Sequence, residues 1–173
     1  MFHGWDNFYF LIGSAAAGLI GLLFVVVTLT AGFERSQASR GASLYLTPTA
    51  LHFAVVLSIS AVAVMPRLAV STTAAVFGLG ALVGFANAIR ACIGIRTPRP
   101  EMETAHWSDF WLYGGVPATI YLGLGVASVA LWAGADWAVP ASAALLLVLL
   151  LVGIRNAWDL VTWIAPKRKA DAG

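Results

Sequence analysis

The chain has 173 residues, of which 60% are hydrophobic and only 10% charged, with a formal net charge of +2 and a mean hydropathy of +0.86. A soluble domain carries roughly 25% charged residues, and a soluble core of this length could not hide so much apolar surface, so a water-soluble globular fold is excluded. The ten Lys and Arg are spread over several loops, which leaves no basic face for nucleic acid and makes the lipid bilayer the natural solvent, where helices satisfy their own backbone groups.

Met1 to Asn7 lacks the basic n-region and small-residue cleavage pattern of a secretory signal, and Asp6 is its only charged side chain. The apolar run that follows is too long for an h-region and reads as a retained transmembrane helix, residues 8–32. It carries Gly13, Ala17 and Gly21 at four-residue spacing, with Ser14 and Gly18 beside them. A small polar loop, Phe33 to Ser43, precedes the second span, 48–65, which opens on Pro48, contains His52 and is the shortest. After the tight Met65-Pro66-Arg67 turn, the third span covers 68–89, with Gly80, Gly84 and Ala88 in the same four-residue spacing. Gly78 to Gly84 has the wrong spacing for a nucleotide fingerprint and lies inside a helix rather than between a strand and a helix. Cys92 is the single cysteine, so no internal disulfide forms, and it reads as a small core residue.

The connection from Arg96 to Phe110 opens with Pro98 and Pro100, which end the third helix, and contains His106 and Asp109. The fourth span covers 111–133 and repeats the small-residue pattern with Gly115, Thr119, Gly123 and Ala127. Asp136 reads as the N-cap of the fifth span, 137–163. From Trp137 to Ile154 there are eighteen residues, about 27 Å of helix, so Arg155 arrives where the hydrocarbon layer is nearly crossed.

The expected fold is an all-α, polytopic transmembrane helix bundle of five spans forming one integral membrane domain, 1–173. With the N-terminus outside, the inner side receives Arg35, Arg40, Arg96, Arg99, Lys167, Arg168 and Lys169, and the outer side only Arg67. Seven cations against one satisfy the positive-inside rule, whereas dropping the second span would split the later clusters between the two sides. Small residues at i and i+4 let helix backbones approach closely, the main attraction available in lipid. These faces serve packing within the chain and leave homo-oligomerisation open.

No zinc-protease helix, nucleophile elbow, cysteine pair or Walker loop occurs in the sequence, so no enzyme activity is expected. The five-span topology instead brings a set of polar residues to one depth near the cytoplasmic interface: His52, Asn87, Arg90, His106, Asp109, Arg155 and Asp159, with Asn156 in the same patch. Asn87 and Arg90 end the third helix in this reading, and Arg155, Trp158, Asp159 and Thr162 form one stripe on the fifth. Such a set lines a charged vestibule or anchors helix ends by snorkelling with ion-pair partners, and facing direction decides between the two. A bis-histidine haem site would need His52 and His106 to face one gap. Because His106 falls on a loop and His3 across the membrane, the histidines read as ordinary interfacial residues, and no cofactor or metal is expected.

The opening stretch, Trp5 to Leu29, joins an aromatic cluster to a small-residue helix ending in Gly-Leu-Leu-Phe-Val. In this it resembles a group of small bacterial multi-span proteins, some of which carry the label of FtsH-protease modulator. That resemblance implies a bacterial cytoplasmic (inner) membrane location and carries over no active-site residue. The function expected from all of this is non-catalytic, through helix contacts with itself or a membrane partner. The alternative is a small oligomeric ion channel or transporter whose charged vestibule lies on the cytoplasmic side.

Overall fold

The apolar runs become five helices and no strand among the described residues, which in the computed structural model are 2, 4–30, 38–96 and 110–170. We number them α1 (Asp6–Thr30), α2 (Ala38–Ala63), α3 (Val70–Arg96), α4 (Val116–Trp132, entered through a π-helical turn, Trp111–Gly115) and α5 (Ala138–Ala170). Four stretches, Asp6–Thr28, Val70–Ile95, Trp111–Trp132 and Ala138–Asp159, are long and apolar enough to cross a membrane. The protein is therefore an all-helical, multi-pass membrane protein.

Several boundaries differ from the sequence reading. Helix α2 begins at Ala38, ten residues before Pro48, and carries that proline inside it. Proline removes one helical hydrogen bond without forbidding a helix, so it did not mark the start. Helix α3 runs on to Arg96, which places Asn87 and Arg90 before its last turn rather than at its end. Helix α5 begins at Ala138 and continues to Ala170, so the capping position falls at Trp137, and Asp136 lies exposed one residue before it.

The apolar part of α2, Thr47–Ala63, is the shortest of the five. At 1.5 Å per residue it covers about 25 Å, short of the ~30 Å hydrocarbon layer. Its position in the bundle accounts for this: α2 packs against α1, α3 and α5 together, so much of its surface meets protein rather than lipid. Thr49, His52, Phe53, Val56, Ile59 and Ser60 are all buried. A helix shielded by neighbours can carry polar side chains that a lipid-facing helix cannot.

The contact between α3 and α4 is a series of small residues. Gly78 faces Ser128, Ala81 faces Gly125, Gly84 faces the ring of Tyr121, and Gly114 faces Cys92. Steps of three and eight residues on α3, and of three, four and seven on α4, keep one stripe of each against the other, so the backbones come close and dispersion contacts accumulate. Gly80 meets Val55 and Ile59 on α2, Gly123 meets Leu145 on α5, and Gly13 meets Ser60. The small residues of α3 and most of those of α4 are thus spent within the chain. On α1 Gly13 and the fully buried Ala16 are used this way, whereas Ser14, Ala17, Gly18 and Gly21 face outward and nothing lies within 4 Å of a Cβ built at Gly18 or Gly21.

The α4–α5 turn is closed by a Schellman motif. Ala135 N–H donates to the Ala130 carbonyl at 2.9 Å and Gly134 N–H to that of Leu131 at 3.1 Å. Gly134 takes φ +78, the left-handed conformation this cap requires and a side chain resists.

Candidate functional site

At the end of the bundle where α4 begins, polar side chains enter the interior from four helices, α2 to α5. His52, at 0% exposure, projects from α2. Its Nδ1 lies 2.8 Å from the Tyr121 hydroxyl of α4, and the two rings are tilted with centroids 5.6 Å apart. Tyr121 can reach the histidine because Gly84 leaves its ring room on α3. The Tyr121 hydroxyl either donates to Nδ1 or accepts from it according to the tautomer. In both cases the other ring nitrogen, Nε2, is buried without a partner.

The second part of the site grows from Pro117. In the π-helical turn Trp111–Gly115, Val116 N–H donates to the Trp111 carbonyl, five residues back. The same spacing would pair the Leu112 carbonyl with residue 117, and a proline has no N–H to give. Asn156 of α5, also at 0% exposure, fills that role: its Nδ2 donates to the Leu112 carbonyl at 3.2 Å. The Tyr113 hydroxyl in turn donates to the Asn156 carbonyl at 3.3 Å. An amide flip would set Oδ1 against a carbonyl, so the hydrogen bond fixes the orientation. Asn156 Oδ1 is left buried and unpaired, as is Nδ2 of Asn87 on α3.

The seven residues expected at one depth therefore divide. His52 and Asn87 direct polar atoms into the protein. Arg90 is exposed, and Arg155 and Asp159 pair with each other along α5 at 2.7 Å with 45% and 40% of their side chains accessible. Trp158, at 68% exposure, and Thr162, bonded back to the carbonyls of Trp158 and Asp159, complete an outward stripe. His106 and Asp109 lie outside the described residues. Arg90, Arg155 and Asp159 meet the bundle's surroundings, and among the described residues no Asp, Glu, Lys or Arg is buried in the interior polar layer.

No protein family, curated protein or solved structure matches this chain. The site must accordingly be read from its own chemistry. Among the described residues, no three His, Cys, Asp or Glu side chains come together as metal ligands would.

Tyr113, Tyr121 and Asn156 complete the interior layer; sequence reasoning does not single out the two tyrosines, and it places Asn156 in the patch without giving it a role. In a membrane sequence a tyrosine is assigned to the interface by default, whereas Tyr113 and Tyr121 are 4% and 1% exposed. Asn156 shares its patch with two charges that look more consequential. The available signal was Pro117: a proline one turn into a membrane helix leaves a carbonyl unpaired, and a carboxamide on a neighbouring helix is a natural donor for it.

Proposed function

We propose that this protein works without catalysis, through contacts between its helices and those of a second copy or another membrane protein. The observation that carries the reading is the outer face of α1. The same small-residue spacing that α3 and α4 consume inside the chain is turned outward on α1, with open space at Gly18 and Gly21. In lipid such a face associates by close backbone approach, and a helix with no such role has no need of it. The flank between α3 and α4 adds an apolar groove floored by Gly78, Ala81, Gly125 and Ser128 and walled by Leu82 and Val126.

The bundle interior offers less support for conduction by a single chain. Val56, Ile59, Phe77, Leu124 and Leu146 fill its middle at 0% exposure, and the ionic side chains Arg90, Arg155 and Asp159 face away from it. We assign the protein to the bacterial cytoplasmic membrane with its N-terminus outside, on the cation bias of its loops and the likeness of its first helix.

Cysteine cross-linking in native membranes tests the proposal. Gly18→Cys in a Cys92→Ala background should give a covalent dimer or adduct on mild oxidation, and Gly18→Leu should reduce association without unfolding the bundle. A protein that stays monomeric in bilayers and cross-links to nothing at residue 18 or 21 refutes it. Ion flux from liposomes that responds to Arg155→Ala would instead favour the channel.

A further inference from the structure

We propose that the end of the bundle bounded by the π-helical turn holds internal water, hydrogen-bonded by His52 Nε2, Asn87 Nδ2 and Asn156 Oδ1. All three atoms are buried and without a partner in the protein. Helix register brings them to one region. Gly84 on α3 is level with Tyr121 and hence with His52, and Asn87 is three residues further along α3, about 4.5 Å by helical rise. Gly153 on α5 packs against Phe53, the neighbour of His52, and Asn156 is likewise three residues on. Both steps lead toward the π-helical turn, to which Asn156 is bonded.

The chemistry of the three atoms selects the ligand. One is a donor, one an acceptor, and the imidazole nitrogen serves as either. A carboxylate or a metal ion would leave part of that set unmatched, whereas water donates and accepts and has the size for a gap between packed helices. No described Asp, Glu, Lys or Arg is buried beside these groups to balance a charge. Buried amides and imidazoles in a bilayer carry a large desolvation cost unless something bonds them, and internal water is the partner that this arrangement admits. The hydration is one-sided, because Val56, Ile59, Phe77, Leu124 and Leu146 close the bundle beyond His52 toward the α4–α5 turn. The inference stands independently of the self-association reading.

Solid-state NMR on the full chain in lipid bilayers tests it. With His3 and His106 replaced by Gln, histidine labelling leaves His52 as the one imidazole signal, and the backbone amide of Ile59 serves as a dry reference. Magnetisation from water should reach the His52 Nε2 site at short mixing times and reach Ile59 only slowly. Asn87→Leu together with Asn156→Leu, which fills the space and removes both amides, should abolish most of that transfer. If the double variant does not fold, Asn87→Leu alone provides the comparison. Transfer to His52 no faster than to Ile59 in the unsubstituted pocket overturns the proposal, and so does transfer that the leucine variants leave unchanged.

Discussion

Gly84 is where a single added methyl group should be felt most. A Cβ there would overlap the ring carbons of Tyr121. That ring cannot swing aside, since it is 1% exposed and its hydroxyl is tied to His52 at 2.8 Å. Gly84→Ala must therefore push α3 and α4 apart or expel the ring. Overpacking of a tight core costs about 1–3 kcal/mol, and losing an interhelical hydrogen bond in a membrane protein adds about 0.6 kcal/mol, at most about 1.7. The expected loss is thus about 2–4 kcal/mol, read from reversible unfolding in mixed micelles. Gly18→Ala is the control, because open space surrounds that position and alanine is the better helix former. Its stability should be unchanged or slightly raised. In the Tyr121→Ala background, Gly84→Ala should cost much less, and the difference between the two backgrounds measures the clash directly. If Gly84→Ala and Gly18→Ala unfold alike, the close approach of α3 and α4 at this level is wrong.

Gly134→Ala should lose about 1 kcal/mol in the same assay, because φ +78 is costly for a side chain. Asn156→Ala should lose about 1–3 kcal/mol by leaving the Leu112 carbonyl unpaired. In a Pro117→Ala background, where residue 117 regains a backbone N–H, that loss should shrink, and equal losses in both backgrounds would break the link between the proline and the carboxamide. Arg155→Ala should change stability by no more than about 0.5 kcal/mol, as an exposed i, i+4 pair is worth little, and a larger effect in unfolding titrations would mean that the pair meets something beyond its own helix.

Long apolar runs fixed the helical class and the membrane as solvent, because in a hydrocarbon layer the backbone has few other ways to satisfy its hydrogen bonds. Helix ends were less legible. Pro48 resembled a start and sits inside α2, and Arg90 resembled an end although α3 continues to Arg96. Polarity marks where a helix leaves lipid, whereas its hydrogen-bond ladder stops for separate reasons. The candidate site was legible by halves. Counting residues puts His52 and Asn87 near one level of the bundle, but the roles of Tyr121 and Asn156 depend on which helices are neighbours.

What the sequence determined alone is therefore what depends on distance along the chain: helices of bilayer length, small residues at i and i+4, and a cation bias among the loops. The tertiary structure decided what depends on direction around each helix axis. It turned Arg155 and Asp159 outward as a surface pair, turned His52, Asn87 and Asn156 inward, and placed small residues of α3 against α4 and α2 while leaving Ser14, Ala17, Gly18 and Gly21 of α1 exposed. In lipid, every apolar face of a helix is equally content with acyl chains. Periodicity then carries little information about which face is buried, and only the packing of one helix on another supplies it.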